Sequence, residues 1–199
     1  MADYTEVLLD TGQNFTIESL AREPDTAPFQ PYIAGTENRG YSDATFWFRI
    51  SPPKGQWLLE IVYPHLDEVT LYSPGTDGQY DASHAGDKRP FSDREILHRF
   101  PLFRLIQSGE KTFYLRIHTS GSAQTAFRLW EPEAFSAHEN AVALLVGFYF
   151  GAMLIMVVYN LFVYLAIQDK TYLYYISYIC AYLIFQASMG GYSFQYLWP

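Results

Sequence analysis

"AVALLVGFYFGAMLIMVVYNLFVYLAI", Ala141 to Ile167, runs for 27 residues without an Asp, Glu, Lys, Arg or His. An α-helix rises about 1.5 Å per residue and bilayer hydrocarbon is about 30 Å thick, so roughly 20 apolar residues span it. A helix packed on a soluble core keeps a polar stripe, and this stretch shows none. "QDKT" (168–171) interrupts it, and a second apolar run, "YLYYISYICAYLIFQASMGG" (172–191), follows. The pattern predicts a transmembrane helical hairpin with spans 141–167 and 172–191. The hydroxyls of Tyr172, Tyr174, Tyr175, Tyr178 and Tyr182 predict that one side of the second helix faces other helices. Tyr192, Tyr196 and Trp198 suit an interfacial belt. Gly147 and Gly151, in "GFYFG", form a small-xxx-small pair that permits close helix approach, and Asn160 is expected to bond across helices.

The chain holds 13 Lys and Arg against 21 Asp and Glu, a net charge of −8 over 199 residues. Asp169 and Lys170 are the only charged residues after position 140, so the whole imbalance belongs to the first 140 residues. By the positive-inside rule Lys170 favours a cytoplasmic "QDKT" turn and an outside N-terminal part. An acidic domain without a clustered Lys/Arg face argues against nucleic acid. The densest basic region, Lys88 to Arg104, is interleaved with Asp93 and Glu95 and reads as solvated loop and strand. The single cysteine, Cys180, precludes an intrachain disulfide and any cysteine-cluster metal site. The opening "MADYTEVLLD" lacks a basic segment followed by an apolar one, so a leader, if used, is expected to be absent from this stretch.

Between residues 45 and 131 the apolar period changes to two. "TFWFRIS" (45–51) sets Phe46, Phe48 and Ile50 against Thr45, Trp47 and Arg49. "QWLLEIVY" (56–63) sets Trp57, Leu59, Ile61 and Tyr63 against Leu58, Glu60 and Val62; "LDEVTLYS" (66–73) follows. "KTFYLRIHT" (111–119) turns Phe113, Leu115 and Ile117 inward, and "TAFRLWE" (125–131) does so with Phe127 and Leu129. Such alternation marks strands with one buried face. "SPPKG" (51–55), "SPGTDG" (73–78) and "QSGE" (107–110) separate them as turns. With no amphipathic helix between strands, the expected fold is mainly β, an antiparallel jelly-roll sandwich over 1–131. A linker, 132–140, then leads to the hairpin. "DTGQNFTIESLAREPD" (10–25) reads as an edge strand or a short helix.

Catalytic templates are missing: no G-x-S-x-G, H-E-x-x-H, P-loop or G-x-G-x-x-G occurs. His65, His84, His98, His118 and His138 have no ligand spacing. A membrane-tethered glycan hydrolase needs two carboxylates roughly 5–10 Å apart, and no pattern selects such a pair. The strand faces opposite the apolar side collect Trp47, Arg49, Glu60, Tyr114, Arg116, His118, Arg128 and Trp130. Flat rings beside charged forks suit a sugar or another small polar ligand. The alternative is an exposed sheet face with weak cross-strand pairs such as Arg49–Glu60. The acidic stretch "GTDGQYDASHAGD" (75–87) offers Asp77, Asp81 and Asp87 as oxygen ligands for calcium, although the spacing fits no EF-hand and a solvated loop is the default reading.

"GYSDATFWFRI" (40–50), "WLLEIVYPHLDEVTLY" (57–72) and "LLVGFYFGAMLIMVVYNLFVYLAIQDKTYLYY" (144–175) together resemble the bacterial seven-transmembrane receptors with diverse intracellular signalling modules. The first two resemble that family's type 2 extracellular domain, a jelly-roll module likened to carbohydrate-binding domains. The third resembles the start of its seven-helix region, with "YNLFVYLAIQDKTYLYY" (159–175) the most specific piece. The likeness covers roughly residues 25–199. It implies a periplasmic sensor in a bacterial inner membrane, feeding a histidine kinase or diguanylate cyclase that lies outside this stretch, with carbohydrate or calcium as ligand. Two apolar runs rather than seven imply a fragment whose own activity is recognition, with membrane lipid around its helices. The competing expectation is an interaction module that docks a second copy or a partner sensor kinase through the same β face.

Overall fold

A computed structural model describes residues 4–33, 38–75, 79–109 and 111–199. The chain divides into two compact units, the first ending at Pro132 and the second spanning Glu133–Trp198.

The first unit is built from β1 (Thr5–Asp10), α1 (Ile17–Arg22), β2 (Gln30–Pro31), β3 (Asn38–Tyr41), β4 (Thr45–Ile50), β5 (Gly55–Ile61), β6 (Glu68–Pro74), β7 (Tyr80–Ala85), β8 (Leu102–Gln107), β9 (Phe113–His118), β10 (Ser122–Gln124) and β11 (Phe127–Trp130). One sheet has the order β2-β1-β4-β9-β6-β7, a second β11-β5-β8, and β10 pairs with β3. Every pairing is antiparallel. The register sets Phe48 opposite Leu115 and Leu115 opposite Leu71 in the first sheet. In the second sheet Leu59 lies opposite both Phe103 and Leu129. These inward residues merge into one apolar cluster, so the sheets form a sandwich. Each large side chain buried there contributes about 1.5–3 kcal/mol. The alternation in 45–51, 56–63, 111–119 and 125–131 therefore points inward as the sequence predicts. Sheets of six and three strands differ from the roughly eight strands of a regular jelly roll, and sandwich is the description the fold supports.

The outer side of the six-stranded sheet departs from expectation. After β1 the Asp10 carboxylate accepts the backbone N–H groups of Asn14 and Phe15, both at 3.0 Å, and turns the chain back. Thr16 then caps α1: its hydroxyl accepts from Ser19 N while Ser19 Oγ accepts from Thr16 N. Such reciprocal caps satisfy donors that a short helix otherwise leaves unpaired. α1 buries Leu20 against Leu8, Ala27, Trp47 and Tyr114, a second apolar cluster. The 10–25 stretch thus carries a short helix, α1, that lies on the sheet. Likewise "GTDGQYDASHAGD" is not one loop, since its second half forms β7.

In the second unit α2 (Pro132–Ile167) has 36 residues. The segment 132–140, expected as a linker, is its first two and a half turns. Asp169 accepts from Thr171 N at 2.9 Å and caps α3 (Lys170–Met189); α4 (Tyr192–Tyr196) follows. Among the described residues α2 is the one helix both long and apolar enough to cross a membrane. α3, with 20 residues, covers about 30 Å, but its tyrosines, serines and Gln186 make it the less apolar of the two. On α2, Leu145, Phe148, Ile155 and Phe162 are each 68–71% exposed. A band of that kind suits hydrocarbon rather than water. Asn160 is buried, yet its amide donates to Met156 O of its own helix at 2.7 Å rather than across to another. A Cβ on Gly147 or Gly151 would meet nothing within 4 Å, so within the described residues no helix packs closely on that pair.

Candidate functional site

The strand order distributes the eight predicted ligand residues over two faces with the core between them. Trp47, Arg49, Tyr114, Arg116 and His118 belong to β4 and β9 of the six-stranded sheet; Glu60, Arg128 and Trp130 belong to β5 and β11 of the other. They do not form one site. Trp47 and Tyr114 are 1% and 2% exposed beneath α1. Arg49 faces Glu6 on β1, its directly opposed residue, and pairs with it. Its Nη1 donates to Pro24 O at 2.8 Å, and its guanidinium lies 4.8 Å from the Phe29 ring centroid. Arg49 thus ties the α1 segment to the sheet. Glu60 is buried; it accepts from Trp130 Nε1 at 2.8 Å and lies 4.0 Å from Arg128 Nη1, its opposed residue. The anticipated Arg49–Glu60 pair is absent because β4 and β5 are in different sheets. Arg116 and His118 keep partial exposure.

Of the calcium candidates, Asp77 lies outside the described residues. Asp81 sits on β7, and Asp87 lies in the loop beyond, its backbone N–H donating to Leu66 O at 2.9 Å. Burial, with Asp67 nearby, raises the Asp87 carboxyl above its ordinary value. Among the described residues no three His, Cys, Asp or Glu side chains converge as metal ligands. The carboxylate with dense contacts is Asp67, which accepts from Ser120 N at 2.9 Å and Ser120 Oγ at 2.7 Å and pairs with Lys88 Nζ at 2.6 Å. Burial alone would raise its pKa, but these partners outweigh it and hold it at about 2 against an ordinary 3.8. A depressed folded-state pKa stabilises the fold above the unfolded value and ceases to do so as pH falls through the folded one. Asp67 is therefore expected to contribute about 1–2 kcal/mol at neutral pH after solvent screening, lost between pH 4 and 2. Asp67→Asn should melt earlier than the parent at pH 7, and the gap should narrow steadily as pH falls from 4 to 2; a gap independent of pH would refute the assignment.

The structure shows instead a cleft that the sequence did not reveal. α1 and the start of β7 enclose about 490 Å³ lined by Ile17, Glu18, Ala21, Arg22, Gln79 and Tyr80. Positions 17, 18, 21 and 22 share one helix face, as neighbours a turn apart do. The Tyr80 ring is fixed by its hydroxyl, which donates to Thr112 O at 3.3 Å, and by an edge contact on Tyr114 at 5.5 Å. Next to it Tyr72 stacks on Trp47, ring centroids 5.7 Å apart. Burial raises the Tyr72 hydroxyl pKa, with Arg116 opposing and Glu18 adding.

Beyond Tyr72 the register forms an open polar ledge. Arg116 lies opposite Thr70, and Thr70 opposite His84; Glu68 lies opposite His118. Arg116 Nη1 is 3.3 Å from Glu68 Oε2, His84 Nδ1 is 3.1 Å from Thr70 Oγ1 and His118 Nδ1 is 3.4 Å from Thr45 Oγ1. Burial and Arg89 lower the His84 pKa, with Asp93 and Glu68 opposing. Of this region sequence reasoning had named Arg116 and His118. The period of two in "EVTLYS" would have placed Thr70 and Tyr72 on one face had it been followed; Glu18, Arg22, Gln79 and Tyr80 carry no comparable signal.

An antiparallel sandwich with a side cleft is followed after one residue by a helix apolar enough to cross a membrane, the make-up of a β domain joined to a membrane-type segment. Residues 2–131 match the family described as 7TMR-DISM extracellular 2, and residues 143–199 match 7TM diverse intracellular signalling. The chain belongs to this receptor family, contributing its extracellular domain and the beginning of its membrane region. No curated protein matches it.

Proposed function

We propose that this chain is the ligand-sensing input part of a bacterial signal-transduction receptor. The sandwich faces the periplasm, the helices lie in the inner membrane, and the output is a histidine kinase or diguanylate cyclase. The chain acts by recognition, and the ligand is a small carbohydrate held in the α1–β7 cleft. The observation that carries this reading is the cleft itself: about 490 Å³ with a fixed tyrosine ring, an amide, a carboxylate and a guanidinium on its walls, within the usual size of small-molecule sites. Calcium, the other candidate, is the weaker ligand, because Asp81 lies near the start of β7 and Asp87 two residues beyond its far end.

Signalling requires the ligand to favour one of two arrangements. A bias in the sandwich reaches the membrane helix along β11, which ends at Trp130 and is followed after Glu131 by Pro132 of α2. The test is thermal melting of the full chain in detergent, with monosaccharides, oligosaccharides and calcium titrated in turn. A ligand at about 100 times its Kd should stabilise the sandwich by about 2.7 kcal/mol, and Tyr80→Ala should abolish the gain. No shift with any of them would favour the interaction module, with a second copy or a partner sensor kinase as its occupant.

A further inference from the structure

Within that cleft Glu18 and Arg22 stand one helical turn apart on the same wall. Residues so spaced are about 5–6 Å apart at Cβ, and an acid followed four positions later by a base is the favourable order for an ion pair. Here the two are not joined, and among the described residues neither pairs with any other charge. Glu18 is held ionised by its contact with Thr16, which lowers its carboxyl pKa. The wall thus presents one anion and one cation, neither in an ion pair among the described residues, over an apolar base of Ile17 and Ala21, with Gln79 and the Tyr80 ring across from them. A neutral sugar would leave both charges unused. A ligand with a single charge would satisfy one and be repelled by the other.

Resting on the sensor reading above, we propose that the cleft selects a saccharide bearing both an ammonium and a carboxylate group. Glu18 receives the ammonium and Arg22 the carboxylate, each through a charge-assisted hydrogen bond. The sugar ring lies against Tyr80, where an apolar C–H face meets an aromatic one, and Gln79 takes a hydroxyl. The volume admits one or two such rings.

The test uses the full chain in detergent and five probes measured by calorimetric titration. Muramic acid carries both charges, glucosamine the ammonium, glucuronic acid the carboxylate, glucose neither, and glycine both without a sugar. Muramic acid is expected to bind at least about tenfold more tightly than the other four, a difference of about 1.4 kcal/mol. Glu18→Gln should remove its advantage over glucuronic acid and Arg22→Gln its advantage over glucosamine. Both variants should melt where the parent does, since both side chains are exposed. Equal binding of glucose, or a ranking unmoved by the two variants, overturns the inference while leaving the sensor reading intact. Glycine binding as tightly as muramic acid overturns the saccharide assignment. Failure of all five to bind overturns the inference and returns the question of ligand to the broader titration.

Discussion

Trp47→Ala is expected to destabilise the sandwich by about 3–5 kcal/mol, the usual cost of emptying a large aromatic site in a packed interior. The value decides between two readings of the same residue. On an open ligand face, truncation of Trp47 would change stability by about 0.5 kcal/mol at most and would be felt in binding. In the fold its ring stacks on Tyr72 and is covered by Leu20 of α1, with 1% exposure. Among the described residues its buried Nε1 meets no hydrogen-bond partner, which itself costs about 1–3 kcal/mol. Trp47→Phe removes that unsatisfied donor and should therefore cost much less than the lost volume suggests. Arg116→Ala, on the same strand face but with its side chain 26% exposed and paired with Glu68, should cost about 1 kcal/mol or less. Denaturant unfolding followed by far-ultraviolet circular dichroism measures all three. If Trp47→Ala falls in with Arg116→Ala, α1 does not cover the sheet and the cleft it forms with β7 is lost with it.

Those contrasts also mark where sequence reasoning held. Period-two alternation reports which side of a strand is buried in the main core, and it did so for Phe46, Phe48 and Ile50, for Leu59 and Ile61, and for Phe113, Leu115 and Ile117. It says nothing of whether the other side meets water or another element. Trp47 and Tyr114 on that other side looked like a binding surface because the covering element, α1, is six residues long and too short to show a helical period. Alternation also leaves strand order open. Glu60 and Arg49 fit a single face only while β4 and β5 are assumed to be neighbours, whereas the sheets interpose the core between them. The membrane helix was legible because 27 uncharged residues leave few physical alternatives. Its extension back to Pro132 was not, since "PEAFSAHEN" carries charge and polarity that suit a linker or a solvated helix end equally well. The cleft was hidden for a further reason: Glu18 and Arg22 approach Tyr80 only through the fold, across more than fifty residues of chain.

Gly86→Ala should be nearly as damaging as Trp47→Ala, though the residue lies in a loop. Two independent penalties coincide there. The backbone has φ of +127°, outside the regions a residue with a Cβ occupies. An added Cβ would also stand 2.2 Å from Asp67 O, 2.8 Å from Asp67 C and 3.1 Å from Glu68 Cα, all backbone atoms that no rotamer change can move. The approach is this close because Asp87 N donates to Leu66 O at 2.9 Å and Lys88 N to Asp67 O at 3.3 Å, drawing the loop onto the start of β6. Each penalty costs about 1–3 kcal/mol, so about 3–5 kcal/mol together is expected in a denaturant melt at pH 7. The second consequence separates this account from general loop damage. Pushing the loop off β6 also withdraws Lys88 from Asp67, and with it part of what depresses the Asp67 carboxyl. Gly86→Ala should then flatten the loss of stability between pH 4 and 2, and Gly86→Ala with Asp67→Asn should cost less than the sum of the two single changes, as coupled sites do. Additive costs and an unchanged acid profile would show that the glycine and the carboxylate act separately.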